Sequence, residues 1–348
     1  MSAPLPFLPY GRHSIEEDDI AAVVAVLRGE ALTGGPAVPA FEAALAAATG
    51  ARHAVVCGNG TQALHLAALA AGLGPGDWAV VPAVTFLATA NAVRFTGAEV
   101  VFADVDPDSG LITPESAAAA AARAGGPVRA LLPVHLAGQL ADLPGLAALA
   151  GDRGWTLIED ACHALGSGYE LAGATGRAGD GRWSALTAFS FHPVKTVAMG
   201  EGGAVTTNDA ALAGRMARLR NHGMVRAPEP FQQPELGLAA DGGVNPWYYE
   251  MAEPGFNYRA TDLQCALGLS QLAKLERFAA RRRALVALYD RRLAALAPRV
   301  RPLARRPGQT PAWHLYVALI DFAAAGLGRA AVMSRLRAAG IGSQVHYI

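Results

Sequence analysis

The chain has 348 residues, with 29 basic and 29 acidic residues, a formal net charge of zero, 52% hydrophobic and 17% charged residues. This excludes intrinsic disorder and the concentrated positive field that nucleic acid or an anionic membrane surface needs. No apolar run reaches the roughly 18 residues of a membrane span, and three cysteines without paired spacing fit a reducing compartment, so a cytoplasmic protein of two domains is expected.

In chain order, Ser14 with Glu17 reads as a capping box opening an amphipathic helix to about Gly29, and a second helix runs from about Val38 to Gly50. "HAVVC" is a short apolar strand, "TQALHLAALAAG" a helix, "WAVVP" a strand, "VTFLATANAVRFTG" a helix and "EVVFADVD" a strand. Thr113-Pro114-Glu115 caps the next helix with proline in its first turn. "VRALLPVHL", "WTLIED", "LTAFSF" and "GGAVTTN" supply further strands of the kind that a sheet covered on both faces requires. Such alternation predicts an open α/β layer over residues 1–260. From Thr261 one long helical stretch reaches about Leu296, followed by a connector rich in proline and arginine, a strand "HLYVALI", a helix and a last strand "SQVHYI". Residues 261–348 are therefore expected to form a small C-terminal domain. Cys162 and Cys265 read as small core residues.

Arginine supplies 27 of the 29 basic residues, and the two lysines are Lys195 and Lys274. A lysine among apolar neighbours more often snorkels or makes an ion pair. In a chain that uses arginine for generic charge, however, Lys195 in "SFHPVK" points to what only an amine can do: lose its proton near neutral pH and add to a carbonyl carbon. Gly58-Asn59-Gly60-Thr61-Gln62 lies between a strand and a helix, where backbone amides suit a phosphate. It also matches a dinucleotide fingerprint, but no acid ends the next strand to hold a ribose. Asp160 ends an apolar strand and would pair with a protonated ring nitrogen. His163, three residues on, could lie against a flat ring, although a histidine there is also a plausible core residue. Ser190 ends another strand and could share the phosphate with Thr61. A phosphate cradle, an acid for a ring nitrogen and an amine for an aldehyde specify pyridoxal 5′-phosphate. The histidines, including His135, His192 and His222, show no metal-ligand spacing.

"CGNGTQALH", "PAVTFLATANAV", "LPVHLAG", "IEDACHALG", "FSFHPVKTVAMGEGGAVTTN", "LRNHG", "PGFNYRATDLQCALGLSQL" and "GIGSQVHYI" resemble, in order and spacing, the DegT/StrS family of nucleotide-sugar aminotransferases. The resemblance covers nearly the whole chain. It implies a fold type I transferase: a large α/β domain with a mostly parallel central sheet, a smaller C-terminal α+β domain, and a homodimer with shared active sites. It assigns Lys195 to the cofactor aldehyde, Asp160 to the pyridine nitrogen, Phe86 and His163 to the two ring faces, and Thr61, Gln62 and Ser190 to the phosphate, with Asn257 reaching in from the other subunit. His192, Arg259 and His346 become candidate substrate contacts. The implied reaction moves an amino group from L-glutamate to C4 of a UDP-linked 4-keto-6-deoxy-N-acetylhexosamine, as in pseudaminic acid biosynthesis. Another base, dTDP or GDP, or amination at C3 is the alternative, and a non-enzymatic dinucleotide-binding or scaffold protein is the different-class one. The family pattern also continues past "VHYI", so the small domain is expected to be completed by a further segment.

Overall fold

A computed structural model describes residues 6–227 and 231–348. Its short apolar segments become β1 (His53–Cys57), β2 (Trp78–Pro82), β3 (Glu99–Ala103), β4 (Val128–Leu131) and β5 (Thr156–Asp160), then a hairpin of β6 (Gly168–Leu171) and β7 (Ala174–Arg177), then β8 (Leu186–Ser190) and β9 (Gly203–Thr207). Seven of these form one sheet in the order β1-β9-β8-β5-β4-β2-β3. Only β9 runs against its neighbours; the other pairings are parallel.

Both sheet faces are covered. On one, α3 (Gly60–Ala70), α4 (Leu87–Arg94) and α7 (Ala210–Leu219) bury Val55, Ala188 and Val205. On the other, α2 (Ala37–Thr49) and the helix Asp262–Leu272 bury the adjacent residues Val56, Phe189 and Ala204. Adjacent residues of one strand thus enter opposite cores, as the two-residue period of a strand demands. Double burial explains why these segments read as continuous apolar runs. α5 (Pro114–Ala121) and α6 (Leu143–Arg153) cover the β2–β4 region around Val80, Val101 and Leu131.

Several elements differ from the sequence expectation. α1 (Glu17–Leu27) is capped by Glu16, whose amide donates to Asp19 Oδ2 at 2.9 Å, instead of by Ser14 with Glu17. The β6–β7 hairpin turns at Ala172 and Gly173, both at positive φ, and its polar sequence carries no strand pattern. The stretch after Thr261 is two helices, Asp262–Leu272 and Leu275–Leu293. "HLYVALI" contributes only Ala318–Ile320, paired with Val300–Pro302, and "SQVHYI" forms no strand, because its side chains line a cavity.

The break between those two helices is made by Lys274. Its Nζ meets Asp18 Oδ1 at 2.5 Å, Asp19 Oδ2 at 2.9 Å and Glu16 Oε2 at 3.3 Å, fastening α1 to the helix pair. Asp19 is fully buried and also accepts from Ser270 Oγ at 2.6 Å and Gln271 Nε2 at 2.8 Å. Burial pushes the Asp19 carboxyl up, but these hydrogen bonds, with those from the Glu16 amide and Lys274, outweigh it and the net shift is downward. Desolvation opposes charge on Lys274, while its three carboxylates raise its pKa well above the ordinary lysine range. The cluster therefore contributes fully between the two ordinary values. Its contribution falls as pH drops through the lowered folded value of Asp19, or rises through the raised value of Lys274.

A compact ammonium gathers three carboxylates around one nitrogen, whereas a guanidinium spreads its donors over a wider planar fork. Lys274→Met is expected to cost about 3 kcal/mol in urea denaturation, because it strands a buried charge. Lys274→Arg should lose part of that despite keeping the charge, and Asp19→Asn added to Lys274→Met should recover stability.

Candidate active site

The parallel strands end on one side of the sheet, and there a cavity of about 760 Å³ opens. Asp160 and Ser190 are the last residues of β5 and β8, and Gly58 follows the last residue of β1. Ligands bind at such strand ends in open α/β sheets.

Lys195 lies in the loop between β8 and β9. Phe191, Val197 and Met199 of this loop are buried, Phe191 N donates to Gly202 O and Met199 N donates to Phe191 O, so the backbone is held on both sides of the lysine. The lysine ion pairs among the described residues all belong to Lys274. Desolvation lowers the Lys195 pKa below the ordinary lysine value, against opposing pulls from Cys162 and Asp160.

Asp160 is 5% exposed. Oδ2 accepts from Thr89 Oγ1 at 2.6 Å and Oδ1 from the Cys162 amide at 3.1 Å. Thr89 comes from the first turn of α4 and meets Thr85 Oγ1 at 2.7 Å, so helix and strand fix the carboxylate together.

The phosphate-binding expectation falls on the α3 N-terminus. Asn59 caps it, accepting from Gln62 N at 2.9 Å, and the first amides of the helix have no intrahelical partner. Two glycines bring this turn onto the ends of β8 and β9, which bracket the lysine loop. A Cβ on Gly203 would collide with the Asn59 carbonyl, and one on Gly60 would stand 2.8 Å from Ser190 Cβ. Thr61, Gln62 and Ser190 consequently line one wall, and the Gln62 carboxamide oxygen is buried there without a partner.

His163 accepts from the Ala137 amide on Nδ1 at 3.3 Å and meets Tyr347 Oη through Nε2 at 3.1 Å. Burial, then the charge of Lys195 and His346, holds it well below the ordinary histidine range, so it is neutral. With Nδ1 accepting, the proton is on Nε2 and Tyr347 Oη accepts it. The Tyr347 ring lies edge to edge with His163, centroids 6.3 Å apart and planes 20° apart, and is tilted toward Phe86 at 6.1 Å, so it occupies the cavity beside both residues.

His192 and His346 also line the cavity, whereas Asn257 and Arg259 lie outside it in this chain. Arg259 Nη1 donates to Asn221 Oδ1 at 2.6 Å, which turns its guanidinium away from the site as a substrate contact of the same chain. Cys162 corrects the core reading, since it lines the cavity, while Cys265 is buried. Thr89, Tyr10, His314 and Tyr347 were missed: none carries a local signal, because Tyr10, His314 and Tyr347 reach the cavity from distant parts of the chain and Thr89 holds Asp160 from a buried position behind it.

An amine without an acid partner, a fixed carboxylate, an open helix N-terminus, and Phe86 and His163 on the wall of the same cavity fit pyridoxal 5′-phosphate. Together with the sheet, they define a fold type I aminotransferase that depends on this cofactor. The chain belongs to the DegT/DnrJ/EryC1/StrS aminotransferase family, whose pattern matches residues 13–348. SpsC, a spore coat polysaccharide biosynthesis protein of Bacillus subtilis, is 37% identical over 345 residues, covering 98% of this chain and 83% of SpsC. DesV of S. venezuelae is similar in structure with a TM-score of 0.80 and 32% identity, over 99% of this chain and 84% of DesV. PseC of Helicobacter pylori, an aminotransferase involved in the biosynthesis of pseudoaminic acid, gives a TM-score of 0.83 and 28% identity, over 99% of this chain and 85% of PseC.

With two lysines only, their amines can be compared directly. In pH-dependent acylation followed by mass spectrometry, Lys195 is expected to react from a pH below the ordinary lysine value, because its folded pKa is lowered. Lys274, with a raised value, should remain protected over the same range.

Proposed function

We propose that this sugar aminotransferase takes the amino group of L-glutamate and delivers it to C4 of a UDP-linked 4-keto-6-deoxy-N-acetylhexosamine, giving a UDP-4-amino sugar for pseudaminic acid biosynthesis. The observation that carries the chemistry is the unpaired, desolvated amine of Lys195 in the same cavity as Asp160. The likeness to PseC supports the choice of sugar. The cavity volume lies within the range of small-molecule sites.

Bound pyridoxal 5′-phosphate supplies an electron sink next to the donor α-carbon. Lys195 Nζ would hold its aldehyde and, as the free amine, would take the α-proton of the donor and deliver it to the former aldehyde carbon. A lowered pKa suits that task, since the base must be unprotonated near neutral pH. Asp160, gripped by Thr89 and the Cys162 amide, would keep the ring nitrogen protonated. Thr61, Gln62 and Ser190 would bind the phosphate, and Phe86 and His163 would flank the ring. His192 and His346 approach the substrate. Asn257 is exposed and outside its own cavity, which supports a homodimer in which it and Arg259 serve the other subunit. Phe86, Leu87 and Phe95 are exposed apolar residues beside the cavity and suit burial by that subunit. The helix Asp262–Leu272 packs on the large sheet, so in this reading the small domain begins after it and not at residue 261, and the protein works in the cytoplasm.

Lys195→Ala and Lys195→Arg should both keep the fold and lose the absorbance that the cofactor gains on binding a lysine, with amination reduced ~10³-fold or more. Glutamate with a panel of UDP-, dTDP- and GDP-linked 3-keto and 4-keto sugars, read by product mass and NMR, tests the substrate. Amination confined to another base, to C3 or to plain keto acids refutes the assignment.

A further inference from the structure

His314 lies behind His163, with ring centroids 4.4 Å apart. Its backbone is fixed: the amide donates to Ala137 O at 2.8 Å, and the carbonyl accepts from Arg282 Nη1 at 2.8 Å. The side chain lines the cavity yet is only 7% exposed, and Nδ1 is buried with no partner. A buried polar atom left unpaired costs on the order of 1–3 kcal/mol. Nδ1 itself is closed off, so a ligand meets the ring on the part that lines the cavity.

The charge on the cavity wall narrows the ligand class. In a chain with 27 arginines, no arginine of the same subunit lines the cavity among the described residues, and Lys195 is the lysine there, so apart from Arg259 of the other subunit the wall offers imidazoles to an anion. An amino-acid donor nevertheless brings carboxylates that need donors. Of the imidazoles there, His163 has both nitrogens engaged and His192 is exposed with Nδ1 accepting from the Val194 amide. His346 is half-buried near the opening beside Tyr10. His65 and His314 are the enclosed ones. His65 also has an unpaired Nε2, but its Nδ1 meets Tyr258 Oη at 3.1 Å and Lys195 is not among the groups that act on it, so His314 is the enclosed imidazole on the lysine side. His163, Lys195, Arg282 and His346 face it, and the acids of the wall, Asp160 and Glu201, are not among the groups that act on it. Burial and these neighbours hold it well below the ordinary histidine range, so it is neutral until an anion arrives.

We propose that His314 receives a carboxylate of the amino-acid donor and binds a proton as it does so. The role rests on the aminotransferase reading above. An incoming carboxylate offsets the positive field of Lys195 and Arg282 and favours the imidazolium, which then donates a charge-assisted hydrogen bond.

The test uses the cofactor-loaded protein and glutarate, which has the donor's two carboxylates and no amine. Calorimetric titration near pH 7.5 in buffers of different ionisation enthalpy counts protons. The wild type should take up about one proton per bound glutarate. His314→Gln should abolish the uptake and weaken glutarate binding ~10-fold, while KM for the keto sugar stays within about twofold. A residue that merely supports His163 would instead alter both substrates and the cofactor spectrum. Absence of glutarate binding or of proton uptake in the wild type overturns the proposal, and that measurement needs no variant to fold. Unchanged uptake in His314→Gln overturns it as well. Wild-type protein that aminates keto sugars without the uptake sinks the role of His314 alone. Uptake without any sugar amination sinks the reaction reading.

Discussion

Lys195 is removed from water and given no carboxylate, so its proton is held loosely, and the site depends on that condition. A counter-ion placed at Nζ would satisfy the charge and silence the amine. The fold avoids this by binding the one acid of the cavity floor to other donors: both oxygens of Asp160 are engaged by Thr89 and the Cys162 amide. The acid and the base share a cavity without neutralising each other, and each keeps its capacity for a ligand. The neutral histidines around them add donors without adding a second permanent charge.

Much of this was legible in the chain because parallel strands buried on both faces leave long apolar runs, and because the sheet places its chemistry at strand ends. "HAVVC" and "WAVVP" became β1 and β2 residue for residue, and Asp160 and Ser190 stand at the strand ends where the pattern put them. The composition bias drew attention to two lysines among 27 arginines, and the structure puts one in the cavity and the other in a carboxylate cluster. Legibility failed wherever a residue works across the sequence. Thr89 is an ordinary helix residue until Asp160 is seen 2.6 Å away, and His314 and Tyr347 gain meaning only where their segments return to the large sheet. Lys274 divides a helical stretch with no break signal, because its reason is a carboxylate cluster more than 250 residues earlier in the chain.

The same comparison separates two uses of lysine. At Lys274 the compact ammonium matters, with three carboxylates around one nitrogen. At Lys195 the loss of a proton matters. Arginine can imitate neither, although it keeps the formal charge in both places.

The contact between Gly203 and the Asn59 carbonyl, reinforced by Gly60 against Ser190, leaves no slack between the α3 turn and the ends of β8 and β9. Neither side can shift without displacing the other, so the helix terminus and both anchors of the lysine loop form one stiff frame. The distance from an anion on that terminus to the root of the amine's loop is therefore set by backbone packing and not by any side chain.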